Sequence, residues 1–419
     1  MSRSAYSNDP MTTIFIKRTF IVLIYLASAI SALRSFYATC SKGLEPLLKA
    51  EVANLRGVEA VKQASSGVFF EGDDTTGFDA LLHVRTALRL MENLAPGEEQ
   101  DKPITSSQEL YDLCIDMPWS KFIDNTCTFS VSMTLGQDVN EGLRNALYSS
   151  RTIQDAICDA FGEEEAQPYV NRDDPDVPLL AYLHRGMLSM YRCWSGSSSL
   201  HKRGYKPDKQ HVAALRETTA AALVLASKWK GTEEQAFCDP MGGSGTLCIE
   251  AAMLAADAAP GLVRFAETAP TPCRWGDVDD AAWEECLAEA RKRDKRDSLS
   301  KIVLYNDIHS GVAEMAREAA RMAGVEQMID FTQGDIDDFS TGGRPVLVMT
   351  NPPWDKRLQD GAADSWMKLN SFVESEPATT FFCLAGEPSL LRYLAFKPKG
   401  NMAIQGPIEM RLIQYHVVD

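Results

Sequence analysis

The sequence lacks the residue patterns that hold structural metals and nucleoside triphosphates. Its ten cysteines are scattered between Cys40 and Cys383, with no Cys-x-x-Cys pair and no Cys/His cluster at zinc spacing. No glycine-rich loop ends in the Lys-Ser/Thr pair of a P-loop. We therefore expect no disulfide framework, no metal site and no ATP or GTP binding, and the scattered thiols indicate a reducing compartment.

Positive charge is also scarce. The chain of 419 residues has 42 Lys and Arg against 58 Asp and Glu, a formal net charge of -16. Binding to nucleic acid needs clustered basic side chains, and an acidic protein repels RNA at long range. Any RNA-binding face must therefore be local. The length predicts two or three domains.

Long apolar runs are absent except near the N-terminus, where residues 19–33 follow Lys17 and Arg18. About 15 residues is short of the roughly 20 that a membrane span needs. The pattern is typical of a targeting signal, so residues 1–35 are predicted to direct the chain to an organelle. A plastid is the first expectation, with the cytoplasm or a mitochondrion as alternatives, and no stable membrane association after processing. The competing interpretation is a chance apolar stretch behind a mis-assigned start.

Two patterns of secondary structure divide the rest of the chain. Over residues 36–200 short β-rich runs alternate with helical ones, including a strand at 127–135 and a helix at 143–162. This predicts an α+β region. Over residues 201–419 strands and helices alternate regularly, which predicts a mainly parallel, doubly wound, Rossmann-like α/β domain.

A glycine-rich loop, DPMGGSGT, lies between a predicted strand and a predicted helix. Its glycines allow close approach of the backbone to a ligand, and the helix start offers free N–H groups. The loop fits a nucleotide-like cofactor, although such turns also occur as plain connections. The candidate cofactor residues here are Asp239, Pro240, Gly242, Gly243, Gly245 and Thr246.

Two carboxylates follow later strands. Asp307 comes about three times farther from the glycines than the roughly 20 residues of a dinucleotide fold, which disfavours nicotinamide cofactors. It can hold the ribose of S-adenosylmethionine if residues 257–300 are an insertion, or it can cap the next helix. Asp335 can accept a hydrogen bond from an adenine amine, or belong to a solvated acidic loop.

The most specific motif is Asn351-Pro352-Pro353-Trp354, after a predicted strand. Exocyclic amines are poor nucleophiles because their lone pair is delocalised into the ring. The Asn351 oxygen and the Pro352 carbonyl can accept the amine hydrogens, and two prolines hold these acceptors in place. Trp354 offers a face on which an extruded base can stack. These four are the candidate catalytic residues, and the motif leaves adenine, guanine and glutamine nitrogens open.

RNA contact is predicted in the segment 200–211, where basic side chains surround an aromatic one. The candidate RNA-binding residues are Lys202, Arg203, Tyr205 and Lys206. The run 291–297 is a weaker candidate because its aspartates favour a solvated helix face.

With these motifs in place, the chain resembles the THUMP-domain RNA methyltransferases, most closely the bacterial RlmL type that methylates guanine N2 in large-subunit ribosomal RNA. The resemblance runs from about Phe36 to the C-terminus. It includes ATCSKGLEPLLKAEV, NRDDPDVPLLAYLHRG, LHKRGY, DPMGGSGTLCIEAAMLA and NPPWDKRL.

The resemblance implies a ferredoxin-like part and an RNA-binding THUMP module ahead of a Rossmann-like methyltransferase domain. It implies S-adenosylmethionine on the glycine loop, with Asp307 at the ribose, Asp335 at the adenine and residues 351–354 at the target amine. Gly243 stands where Cys is frequent, and Trp354 where Tyr is usual. A second methyltransferase half is absent, so one activity is expected.

The expected activity is N2-methylation of a guanosine in large-subunit ribosomal RNA. A tRNA guanosine methyltransferase and a catalytically silent RNA-binding assembly factor are the alternatives. The oligomeric state stays open.

Overall fold

The computed structural model describes residues 33–94, 100–162, 166–206, 215–299, 301–353, 362–405 and 410–416. Within these ranges the chain forms two sheets. An eight-stranded sheet is built from residues 34–193, and a seven-stranded sheet from residues 236–416. The predicted targeting segment lies almost wholly outside the described residues.

The first half of the eight-stranded sheet is a ferredoxin-like unit. Its elements are β1 (Arg34–Thr39), α1 (Glu45–Val52), β2 (Glu59–Ala64), β3 (Gly67–Gly72), α2 (Asp74–His83) and β4 (Arg89–Asn93). The strands pair antiparallel in the order β2-β3-β1-β4. The Asp73 side chain caps α2 by accepting a hydrogen bond from the Thr76 amide.

The second half continues the same sheet. It contains α3 (Ser107–Ile115), β5 (Thr128–Leu135), α4 (Ala146–Ala160), β6 (Tyr169–Val170), β7 (Val177–His184) and β8 (Met187–Cys193). Antiparallel pairing of β4 with β8 joins the halves in the order β2-β3-β1-β4-β8-β7-β5-β6. The strand predicted at 127–135 and the helix predicted at 143–162 are confirmed as β5 and α4.

The seven-stranded sheet has the predicted doubly wound form. Its strands are β9 (Ala236–Asp239), β10 (Val303–Asp307), β11 (Ile329–Gln333), β12 (Val346–Thr350), β13 (Ala378–Ala385), β14 (Lys397–Ile404) and β15 (Met410–His416). The order is β11-β10-β9-β12-β13-β15-β14; β15 pairs antiparallel with both β13 and β14, and the other pairs are parallel. Every residue of β9 and β12 is buried, as expected for parallel strands covered on both faces.

The helices after residue 215 are α5 (Glu217–Ser227), α6 (Thr246–Ala255), α7 (Pro260–Arg264), α8 (Asp280–Arg293), α9 (Ser310–Met322) and α10 (Ala362–Ser375). Short 3-10 turns lie at Trp119–Lys121, Glu141–Leu143, Thr271–Arg274, Arg296–Ser298, Glu326–Met328, Ile336–Asp338 and Pro388–Tyr393. None of the helices described here is long and apolar enough to cross a membrane.

Residues 257–299 form an insertion between α6 and β10, as the long gap before Asp307 predicted. We call this insertion the clamp segment. It carries α7 and α8, which pack against α2 of the ferredoxin-like unit. Trp275 also donates a hydrogen bond to the Asp176 carbonyl, 2.8 Å away, just before β7. The clamp segment therefore joins the seven-stranded domain to both halves of the eight-stranded sheet.

Candidate active site

The candidate site lies where four parallel strands end. The carboxyl ends of β9, β10, β11 and β12 meet at one edge of the sheet because these strands run parallel. Chain order reverses between β9 and β12, since β10 lies on one side of β9 and β12 on the other. Ligands of doubly wound folds bind in the crevice outside such a switch point. The candidate residues after these four strands are thereby brought to one edge.

The glycine-rich loop after β9 needs its glycines for two different reasons. A Cβ on Gly242 would lie 2.3 Å from the ring of Tyr305, which is fully buried. Gly245 is the N-cap of α6 and has φ +72°, a conformation in which a side chain would be strained. Gly243 has φ +52°, but a Cβ there would meet nothing within 4 Å. The loop therefore presents open space beside Gly243.

Asp239 ends β9 and is 1% exposed. Burial raises the pKa of its carboxyl to about 7, against the hydrogen bond from the Met241 amide, and the nearby charge of Asp307 raises it further. The Met241 amide lies 3.2 Å from Asp239 Oδ1. Asp239 thus fixes the start of the glycine loop from within the core.

Asp307 lies directly against the glycine loop. Its Oδ2 accepts a hydrogen bond from the Gly243 amide at 2.9 Å, and Oδ1 accepts one from the His309 amide at 2.9 Å. The N-cap position of α9 is His309, so Asp307 does not occupy that position itself. The carboxylate is partly exposed beside the open space at Gly243.

Asn306, which the sequence analysis missed, connects two loops of the site. It is 1% exposed, and its Nδ2 donates to the carbonyl of Pro240 at 3.2 Å and to that of Gly334 at 3.1 Å. The first carbonyl belongs to the glycine loop and the second to the loop after β11. The available signal was a polar residue near the end of the otherwise apolar strand run IVLYND.

Asp335 lies in the loop after β11, which we call the adenine-side loop (residues 334–338). Its Oδ1 accepts from the Asp337 amide, and its Oδ2 is 2.7 Å from Lys368 Nζ on α10. The hydrogen bond from Lys368 lowers the pKa of the Asp335 carboxyl, as does the one from the Asp337 amide. Lys368 is a second residue that sequence reasoning missed.

The Asn-Pro-Pro turn follows β12 at the same edge. Pro352 is buried, and Asn351 and Pro353 are half-buried. Trp366 on α10, 0% exposed, donates from Nε1 to the Pro353 carbonyl at 2.9 Å. Trp354 lies outside the described residues, so its predicted stacking face stays a prediction. We call residues 351–353 the amine-side turn.

The predicted RNA contact at the junction is wrong for three of its four residues. Arg203, Tyr205 and Lys206 have buried side chains, which cannot pair with phosphates or stack on bases. Only Lys202 is exposed. Basic residues around a tyrosine suggested an RNA-binding surface. Arg203 instead pairs with the buried Glu250 on α6, and Lys206 pairs with the buried Glu217 on α5.

These junction side chains instead anchor α6, the helix that begins at the glycine loop. Glu250 Oε1 lies 3.3 Å from Arg203 Nε and accepts a hydrogen bond from the Tyr205 hydroxyl at 2.9 Å. Arg203 Nη2 also donates to the Arg85 carbonyl of the ferredoxin-like unit at 2.6 Å. The sequence did contain a signal for this contact: a glutamate lies within the apolar run TLCIEAAMLA, and a buried carboxylate needs a polar partner.

The residues present fit S-adenosylmethionine. The loop 239–246 contains no Lys or Arg, so it offers no cation for a phosphate. The open space at Gly243 is bordered by the Asp307 carboxylate, which suits a ligand with hydroxyl or amine donors and positive charge. Among the described residues, no three His, Cys, Asp or Glu are placed to hold a metal ion.

Comparison with solved structures gives the same fold. A possible methylase from Clostridium difficile 630 has a TM-score of 0.80 at 22% identity, covering 93% of this chain and 99% of its own. SMU.472 in complex with SAH has a TM-score of 0.80 at 22% identity, covering 92% and 99%. A Listeria monocytogenes protein described as a predicted N6-adenine-specific DNA methylase has 0.79 at 24%, covering 92% and 96%.

Family models match three successive parts of the chain. Residues 35–91 match the RlmL ferredoxin-like domain, residues 105–191 the THUMP domain, and residues 203–372 the RMKL-like methyltransferase domain. The third match contains the glycine loop, both carboxylates and the amine-side turn. The chain therefore consists of an RlmL ferredoxin-like domain, a THUMP domain and an RMKL-like methyltransferase domain, in this order.

Proposed function

We propose that this S-adenosylmethionine-dependent methyltransferase modifies the N2 amine of a guanosine in large-subunit ribosomal RNA. The observation that carries the proposal is the amine-side turn, which follows β12 beside the strand that leads into the glycine loop. The turn offers acceptors for an amine, and the neighbouring loop fits the cofactor. Both stand at the edge where doubly wound folds bind ligands.

The cofactor residues divide by the part of the ligand they would hold. Asp307 would accept hydrogen bonds from the ribose hydroxyls, and Asp335 from the adenine amine. The loop from Asp239 to Thr246 would supply the backbone surface. S-adenosylmethionine, when bound, supplies a methyl group on a positively charged sulfonium.

The amine-side turn prepares the nucleophile. Asn351 and the Pro352 carbonyl accept hydrogens of an exocyclic amine and so localise its lone pair. The prolines fix the backbone, and Trp366 holds the Pro353 carbonyl, so the acceptors need little reorganisation when a base arrives. Trp354 would stack on that base.

Support for an RNA substrate comes from the domain order. A THUMP domain between an RlmL ferredoxin-like domain and the methyltransferase domain favours structured RNA and, within it, guanine N2 of the large subunit. A tRNA guanosine is the second candidate. The Listeria protein is described as a predicted N6-adenine-specific DNA methylase. Methylation of adenine N6 in DNA is therefore one outcome that the test must distinguish.

The location of the enzyme is part of the proposal. A signal-like segment ahead of a bacterial type of enzyme supports an organellar ribosome, with a plastid as first choice. A fluorescent reporter fused to residues 1–40 should enter that organelle, and a reporter that stays in the cytosol would contradict this.

Transfer of a labelled methyl group to separated RNA classes tests the function. Wild-type enzyme should label large-subunit ribosomal RNA, and Asn351→Ala should abolish transfer while SAH binding is nearly unchanged. Asn401→Ala, at an exposed position of β14, is the matched control and should retain transfer. Label confined to tRNA would overturn the ribosomal assignment. Absence of SAH binding by the wild type would favour the silent assembly factor.

A further inference from the structure

One helix contacts both halves of the candidate site. α10 contributes Trp366 to the amine-side turn and Lys368 to the adenine-side loop. The two residues are two positions apart, so they project about 200° apart around the helix axis while their backbones are only about 3 Å apart along it. The helix is therefore held between the two segments.

Packing makes this connection stiff. Phe372 of α10 stacks on Phe339, which directly follows the adenine-side loop, at 5.5 Å between centroids and 16° between planes. Ile336 within that loop belongs to the same buried cluster as Trp366 and Leu369. Close-packed interiors transmit displacement rather than absorb it.

The polar contacts lie where a ligand would act. Lys368 Nζ is 2.7 Å from Asp335 and 3.1 Å from Asp337, so it opposes the charge of two carboxylates of the adenine-side loop. A donor arriving at Asp335 competes with this ammonium for the same carboxylate. At the other side, the Trp366 N–H is directed at a backbone carbonyl of the turn that is to hold the target amine.

We propose that Trp366 and Lys368 are positioning residues through which α10 couples cofactor binding at the adenine-side loop to the geometry of the amine-side turn. The proposal rests on the proposed function for the roles of the two segments. A change made at the amine-side turn therefore alters cofactor affinity, and a change made at the adenine-side loop alters turnover. The cofactor then helps to set the acceptors for the base before the base arrives.

Cross-effects of two single variants test the coupling. Trp366→Phe keeps an aromatic ring but removes the N–H donor to the turn, and it should weaken SAH binding about three- to tenfold by calorimetry. Lys368→Met touches the adenine-side loop, and it should lower kcat at saturating cofactor by a similar factor. Ser371→Ala, on an exposed position of the same helix, is the control and should change neither quantity.

The double variant separates coupling from simple loss of structure. With Lys368→Met in place, Trp366→Phe should leave the SAH dissociation constant unchanged, because the link is already broken. Independent, multiplicative effects on SAH binding would overturn the proposal, as would a folded Trp366→Phe protein with wild-type SAH affinity. If Trp366→Phe does not fold, unchanged kcat of Lys368→Met at saturating cofactor overturns it.

The outcome is also distinct from failure of the proposed function. If no RNA is methylated but SAH binds, the calorimetric double-variant comparison still decides whether α10 connects the two segments. If the wild type methylates adenine instead of guanine, the proposed substrate is wrong, but the double-variant test of coupling still applies.

Discussion

The guanidinium of Arg192 lies between the carboxylates of Glu92 and Asp277, with Nη2 2.7 Å from an oxygen of each. Glu92 is on β4 of the ferredoxin-like unit, Arg192 is on β8 in the second half of the same sheet, and Asp277 is in the clamp segment. The guanidinium also lies 4.1 Å from the Trp275 ring centroid. One buried cation thus links both halves of the eight-stranded sheet to the clamp segment.

Removing this cation should destabilise the whole protein. Arg192→Met removes a fully buried cation from Glu92 and from the partly exposed Asp277, which then share only Arg34, and we expect a loss on the order of 3 kcal/mol in the free energy of unfolding. Urea denaturation measures it. Arg321→Met removes a half-exposed arginine from its glutamate partners and should lower the free energy of unfolding far less, because solvent screens an exposed ion pair. Equal losses in the two variants would contradict the role of Arg192.

Tyr205 should affect stability without affecting RNA affinity. Tyr205→Phe deletes the hydroxyl that donates to Glu250, so we expect a loss of about 1 kcal/mol in unfolding free energy. Because the side chain is fully buried, the RNA dissociation constant and its salt dependence should not change. Weaker RNA binding at unchanged stability would restore the original surface interpretation.

The glycine loop offers a matched pair of substitutions. Gly242→Ala drives a methyl group into the Tyr305 ring and should reduce SAH affinity at least tenfold. Gly243→Ala meets no atom within 4 Å and bears only the strain of its positive φ, about 1 kcal/mol. It should keep most of the SAH affinity. Calorimetry compares the two, and a stronger effect at Gly243 would contradict the described loop geometry.

Asp239 should make stability depend on pH. Its pKa rises from 3.8 to about 7 on folding, so the folded state binds this proton more tightly. The resulting stabilisation is fully present below about pH 4 and is lost as pH rises through 7. Asp239→Asn keeps the acceptor for Met241 but cannot ionise. Its unfolding free energy relative to wild type should therefore grow between pH 5 and pH 8, and a constant difference would refute the shift.

Local patterns were enough to predict much of the fold and the site. Period-two alternation predicted β5 and period-3.6 spacing predicted α4, because both patterns depend on neighbours in sequence. The glycine loop and Asp307 were also predicted by their position after strands, and the structure places them in direct contact.

Contacts between distant residues were not predictable in the same way. Arg203 and Glu250 are 47 positions apart, and Asp335 and Lys368 are 33 apart. Nothing in the local sequence distinguishes a lysine that meets a carboxylate from one that meets water. The burial of the basic junction residues could be predicted only by knowing that they pack against α6. The proposed coupling through α10 could be predicted only by knowing which side of this helix meets the adenine-side loop and which meets the amine-side turn.

Mass spectrometry of nucleosides from nucleic acid incubated with the wild-type enzyme and S-adenosylmethionine identifies the methylated base. Large-subunit ribosomal RNA, tRNA and adenine-containing DNA would be treated separately and digested. We expect N2-methylguanosine in the ribosomal sample and none after treatment with Asn351→Ala. N6-methyladenine as the product, or N2-methylguanosine found only in tRNA, would contradict it.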